Sequence, residues 1–376
     1  MVVDDLRVVD EALARRGAQL QSSPAMQTDW IGEWFRVFEE LGENVDILCG
    51  QLPDGATQPR WSRFSHVRVD GLGALQEVLE QAGAAPQPLP TYPGKLPLWP
   101  VRAAAFVRYL RTRPPLAPSE RPRLDRSGPP AGVAWALVSA DATKRFQRHA
   151  RAAKVNSNLF SLWGLNQAVT SLGLSSNQIP AWLVPVNLRG AVRLENPRAN
   201  HSSFLTVSIA DGSPPRAIAD GLRGRLRDGA HFGAWMAMNL GKVIGLEKYR
   251  ARTRGLLALP FGWTGSFSNL GTWRPAQLGL PPQVRGGWLG CPPASRKVPI
   301  ACGCICVDGR LGIGLQLHPS LAEGDEAPRQ LLERFVQVLL PGERPAEVAT
   351  LGFTPWSEVL TSAPVGAPAS TSARQA

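Results

Sequence analysis

The chain has 376 residues, 44% of them hydrophobic and 19% charged, with a formal net charge of +11 at pH 7. This composition excludes a disordered adaptor and predicts a sizeable core in one large or two medium domains. The basic excess favours anionic partners, and with no long uninterrupted apolar run an integral membrane protein is excluded while peripheral contact with anionic lipid stays open.

Met1-Val2-Val3-Asp4-Asp5 opens with acid and no apolar run follows, so no secretory leader is read and the expected compartment is the cytoplasm. The aromatics of Asp29 to Phe38 fall at helical spacing, predicting a core-facing helix. Val45 to Cys49 and Arg60 to Phe64 read as strands about a Pro/Asp/Gly turn, and Leu72, Leu75, Val78 and Leu79 continue as a helix. A further helix is expected around Val101 to Phe106. From Arg108 to Arg126 arginines alternate with prolines and few aromatics, which suits a linker rather than a nucleic-acid groove. The domain reading is therefore an N-terminal lobe over 1–110, a linker over 111–132, a C-terminal lobe over 133–362 and a disordered tail over 363–376.

In the second half, Val133 to Val138 predicts a strand and is followed by a helix that Ser139 or Asp141 caps. The next helix, Ser157 to Leu172, stops at Gly173. Trp182 to Arg189 and Ser203 to Ile209 read as strands, the first marked by Pro185 as an edge or a bulge. Pro214 and Pro215 open a helix through Leu226, and the stretch up to Phe261 reads as irregular. Strands are expected at Gly265 to Leu270, Ile300 to Cys306 and Leu311 to Leu317, then a helix at Arg329 to Leu340. Cys302, Cys304 and Cys306 alternate on one strand face about 7 Å apart, which suits small core residues better than a metal site.

The segment Ser65-His66-Val67-Arg68-Val69-Asp70-Gly71 places a histidine, an aspartate and a glycine in a His-x-x-x-Asp-Gly pattern at a strand-to-helix junction. There Gly71 would allow a backbone conformation strained for other residues. The pattern is also compatible with a strand-end histidine followed by an Asp-Gly turn. His149, on a basic helix, reads as solvated, and His201, at a strand start beside Asn200, as structural.

With this motif the chain resembles the chloramphenicol acetyltransferase-like acyltransferases, nearest the branch of wax ester synthases, alcohol acyltransferases and condensation domains. Asp141 to Leu159, Val184 to Arg189, Ala199 to Val207, Gly265-Ser266-Phe267-Ser268-Asn269-Leu270-Gly271 and Leu311 to Leu317 are similar to later family segments and follow the family's order. In two respects the chain departs from the pattern. Ser65 stands where the family has a first histidine, and only 65 residues precede His66, so a trimmed N-terminal lobe is expected.

The resemblance implies an α/β (α+β) fold of two lobes, each a mixed β-sheet flanked by helices, with the active site in a tunnel between them. It implies an ester- or amide-forming acyltransferase with His66 as general base and no covalent acyl-enzyme. Asp70, Gly71 and Arg189 would support the motif, Asp70 pairing with Arg189, and Ser268 or Asn269 would contact an oxyanion or substrate. Trp263 and Trp273 flank that segment and would line a channel or belong to the core. No tightly bound cofactor or metal is implied. Acyl-CoA or a phosphopantetheine-bound acyl carrier protein would be the donor, and a small alcohol or amine the acceptor. The alternative is a catalytically silent docking module for a carrier protein or biosynthetic partner.

Overall fold

The computed structural model describes residues 28–85, 88–111, 114, 128–175, 177–192, 194–259, 262–281 and 286–362. Most of the expected linker and the whole expected tail lie outside the described residues. Among the described residues, ten strands form two sheets flanked by helices. In chain order they are β1 (Asp46–Leu52), β2 (Arg60–Ser65), β3 (Gly132–Val138), β4 (Ala181–Asn187), β5 (Ser202–Ser208), β6 (Gly265–Trp273), β7 (Gly287–Cys291), β8 (Ile300–Val307), β9 (Arg310–Leu317) and β10 (Ala349–Pro355).

The large sheet runs β10-β3-β9-β8-β6-β4-β5 and is mixed: β6 is parallel to both β8 and β4, and the other pairs are antiparallel. On one face lie the helices Ala140–Ala152, Ser157–Ser171 and Glu326–Leu339, which bury Phe146, Leu162, Leu165, Leu331 and Phe335 in the main core. Ser139 caps the first of these helices through the backbone N–H of Ala142. The residues of β8 divide by the two-residue period of a strand. Cys302, Cys304 and Cys306 join the main core, whereas Ile305 and Val307 join a second core on the other face.

On that other face lies the small sheet, β2-β1-β7, entirely antiparallel. Its backbone sits directly on glycines of the large sheet. A Cβ at Gly303 would overlap the Gly290 carbonyl, and one at Gly312 the Trp288 carbonyl, so side chains there would force the sheets apart. The small sheet's third strand comes from the C-terminal half of the chain. Likewise the Trp99–Arg111 helix packs on the Ala230–Met238 helix, where a Cβ at Gly233 would overlap the Ala105 carbonyl. The two halves of the chain are interlocked.

Three features differ from the sequence reading. Residues 230–258, expected to be irregular, form the helices Ala230–Met238, Gly241–Ile244 and Leu246–Ala258. The first is apolar on nearly every side and buried in the fold, so it carries no amphipathic period to detect. Strands β7 and β10 escaped notice because Gly287-Trp288-Leu289-Gly290-Cys291 is short and glycine-rich and Ala349–Pro355 follows a helical turn without a polar break. Pro185 lies on a strand with two neighbours, yet β4 pairs with β6 only at Trp182 and Leu183. Beyond Leu183 the ladder on that side has ended, and the proline costs no hydrogen bond there. Among the described residues, no helix is long and apolar enough to cross a membrane.

Candidate active site

A cavity of about 260 Å³ lies between the large sheet, the small sheet and the Trp30–Glu40 helix. Its wall is mainly apolar, with Ile31, Phe35, Phe38, Leu183, Phe204 and Leu270 among its residues. Of the five histidines, His66 is the one on this wall.

The motif is held in place by local hydrogen bonding. As β2 ends, the His66 N–H donates to the Val45 carbonyl at 2.9 Å, and Arg68 N–H closes a turn onto Ser65 O at 2.9 Å. Asp70 is the N-cap of the Gly71–Gln81 helix, its Oδ1 accepting from Gly73 N–H at 3.0 Å. Arg189, just beyond β4, donates to both oxygens of Asp70 at 2.8 and 2.6 Å, and both side chains are buried. The carboxylate therefore caps one helix and ties it to the large sheet. Gly71 has an ordinary φ, so it is not there for conformational freedom as the sequence suggested; a Cβ would lie 3.2 Å from Leu270 Cδ2. The demanding glycine is Gly73, where a Cβ would overlap the Arg198 carbonyl.

The imidazole is fixed by two residues that sequence reading did not assign to the site. His66 Nδ1 lies 2.8 Å from Asn200 Oδ1. Asn200 Nδ2 donates to Asp29 Oδ2 at 2.8 Å and to the His66 carbonyl at 3.0 Å, which settles its orientation: a flipped amide would set its oxygen against two acceptors. Oδ1 is thus the acceptor, Nδ1 carries the proton, and Nε2 keeps its lone pair. Among the described residues Nε2 has no hydrogen-bond partner. Phe35 stacks on the ring at 3.8 Å between centroids, 14° from parallel. Burial pushes the His66 pKa below its ordinary value, opposed by the charge of Asp70 and the Asn200 hydrogen bond, so the ring is neutral at pH 7.

Asp29 belongs to the same array. It caps the Trp30–Glu40 helix by accepting from Gly32 N–H at 2.8 Å and also accepts from the Asn200 backbone at 3.1 Å. Burial raises its pKa, offset by these donors and by His66. A Cβ at Gly32 would overlap the Val67 carbonyl, so that glycine lets the helix approach the motif and bring Asp29 and Phe35 to His66. The signal for Asp29 was its place as the N-cap of the Trp30–Glu40 helix; Asn200, 134 positions from His66, offered none beyond its neighbour His201.

The remaining predicted residues separate. Ser268 and Asn269 both lie on the cavity wall. Asn269 Oδ1 accepts from Gly271 N–H at 2.7 Å and so shapes the turn, whereas the Ser268 hydroxyl makes no hydrogen bond among the described residues. Trp263 lines the cavity and donates to Thr206 Oγ1 at 2.9 Å, while Trp273 packs away from it in the second core. His201 is buried off the wall with Nδ1 3.0 Å from Ala199 O. His149 is half-buried rather than solvated, Nδ1 lying 3.3 Å from Leu339 O. Among the described residues, no group of three or more His, Cys, Asp or Glu side chains is placed to hold a metal ion.

The fold and site thus define an α/β protein whose two sheets enclose an apolar cavity with a neutral, oriented histidine on its wall. No protein-family model matches the chain, and no curated protein does. Among solved structures it is similar to polyketide synthase associated protein 5 from Mycobacterium tuberculosis, at 17% identity over 76% of this chain and 73% of that one, TM-score 0.44. It is also similar to the condensation domain from Monacolin K polyketide synthase, at 11% identity over 72% and 66% of the two chains, TM-score 0.45. A structure described for condensation domain-mediated chain release from the enacyloxin polyketide synthase is similar at 14% identity over 74% and 57%, TM-score 0.40. The chain spans less than two thirds of the latter two.

Proposed function

We propose that this protein is an acyltransferase that moves an acyl group from a thioester to an alcohol or amine, with His66 as general base. The observation carrying this reading is the array Asp29–Asn200–His66, which holds a neutral imidazole on the wall of a cavity with its Nε2 lone pair unused. A hydroxyl or amine bound there would lose its proton to Nε2 as it attacks the thioester carbonyl. The resulting tetrahedral oxyanion needs a donor, and Ser268 is a wall hydroxyl with capacity to spare. Collapse expels the thiolate, which takes the proton back from the imidazolium, so ester or amide and free thiol are formed without an acyl-enzyme.

The chain's resemblance to condensation-type acyltransferases supports a thioester donor on CoA or on a carrier protein, and the +11 charge suits the phosphates of either. Phe35, which covers one face of the His66 ring, and Ser65 in place of a second histidine favour a second reading, a docking module without turnover.

The test is mass spectrometry of the purified protein incubated with a panel of acyl-CoA and acyl-carrier thioesters and mixed alcohols and amines. Transfer by the wild type that drops about a hundredfold or more in a folded His66→Ala variant is expected. An undiminished rate in that variant overturns the role of His66, and absence of transfer with every donor favours the docking reading.

A further inference from the structure

The Trp99–Arg111 helix turns only part of its apolar surface inward. Ala105 and Phe106 are buried, the first against the Ala230–Met238 helix, whereas Leu98 is 81%, Trp99 42% and Val101 51% exposed at the other end. Among the described residues Leu98 is the most exposed large hydrophobic side chain and Trp99 the one exposed tryptophan. Large apolar side chains gathered on one exposed patch mark a surface that meets something.

The charge beside this patch is of one sign. From Gln81 to Ser119 the sequence has Lys95, Arg102, Arg108, Arg111 and Arg113 and no aspartate or glutamate. The Arg102 guanidinium lies 5.9 Å from the centre of the Trp99 ring and makes no ion pair among the described residues. Its Nε is buried there without a hydrogen-bond partner. Lys242, exposed at the turn after the Ala230–Met238 helix, is its neighbour: burial, and then the charge of Arg102, lower the pKa of Lys242. A buried donor left unsatisfied beside a second cation costs free energy that a phosphate oxygen would recover.

We infer that this face docks on an anionic phospholipid bilayer, with Leu98, Trp99 and Val101 entering the interface and Arg102 and Lys242 meeting lipid phosphates. Tryptophan settles at the headgroup level of a bilayer, exposed aliphatic side chains gain by leaving water, and cations are drawn to the anionic surface. The Ala230–Met238 helix, on which the docking helix packs, also carries Met238 on the cavity wall, so the bilayer would lie one helix from the cavity. This goes beyond the acyltransferase reading and does not rest on it.

Co-sedimentation of the purified protein with vesicles of phosphatidylcholine alone, and with about 30% phosphatidylserine added, tests it at about 0.1 M salt. The wild type should bind the anionic vesicles about tenfold or more tighter than the neutral ones. Leu98→Glu should weaken that binding about tenfold, and so should Arg102→Gln combined with Lys242→Gln. The control is Arg148→Gln with Arg151→Gln, which removes the same charge from the exposed side of the Ala140–Ala152 helix. That helix packs at β9, four places along the sheet from the β5 edge that carries the Ala230–Met238 helix, so the control should stay within about threefold of wild type. Equal binding to both vesicle types, undiminished binding by Leu98→Glu, or a control as weak as the Arg102 and Lys242 variant overturns the inference. Binding to neither vesicle type also overturns it and leaves the face to a protein partner. If the Arg102 and Lys242 variant does not fold, Leu98→Glu, at a side chain already in solvent, gives the decision.

Discussion

Breaking the Asp70–Arg189 pair one side at a time, and then both sides together, separates a structural tie from incidental proximity. Asp70 is 3% and Arg189 5% exposed, and two charge-assisted hydrogen bonds of 2.8 and 2.6 Å join them. In Asp70→Leu the guanidinium stays buried with only the Ala199 carbonyl at 3.3 Å and Asn187 Oδ1 at 3.4 Å, and the Gly71–Gln81 helix loses its cap. An uncompensated buried charge costs about 3–5 kcal/mol and a lost cap about 1 kcal/mol. Arg189→Leu leaves the carboxylate with the Gly73 N–H alone and should cost a similar ~3–5 kcal/mol for the buried charge. The double variant removes both charges, so it should be less destabilised than either single one, with a coupling of about 3 kcal/mol or more. Urea unfolding of the four proteins, followed by both tryptophan fluorescence and circular dichroism, measures this. Single variants costing under about 1 kcal/mol, or a double variant equal to the sum of the two, would refute the tie.

Asn200→Ala should lower kcat about tenfold or more by freeing the ring to rotate and change tautomer. Because the lost hydrogen bond favours the imidazolium, the acid limb of the pH–rate profile should also move down. An unchanged profile and kcat would remove Asn200 from the site. Gly73→Ala should destabilise by about 1–3 kcal/mol because its Cβ meets the Arg198 backbone, whereas Gly221→Ala, on the exposed face of the Pro215–Arg227 helix with open space around it, should stabilise by about 0.5–1 kcal/mol. Melting temperatures that move together in one direction would contradict the packing described.

Much of the fold was legible where a single element carries its own signal. The alternation of Val133 to Val138, the serine before the Ala140–Ala152 helix and the glycine after Leu172 each act over a few residues, and the structure places β3, the Ser139 cap and the end of the Ser157–Ser171 helix there. The buried Ala230–Met238 helix and the short strand β7 lacked such a signal, since burial on every side erases period and length. Within the site, the spacing of His66 and Asp70 put both at one strand-to-helix junction, because five residues, His66 to Asp70, span the turn between β2 and the next helix.

The partners of those residues are another matter. Asp29 and Asn200 are 171 positions apart, and Asn200 lies 134 beyond His66. Their meeting depends on the order of strands in the large sheet, on β7 crossing to the small one and on glycines that let backbones touch. The sequence by itself determined the elements and the position of His66, since these follow from local periodicity, caps and turns. Only the tertiary structure decided the tautomer of His66 and the lining of its cavity, because each is set by hydrogen bonds and burial between segments that no local pattern connects.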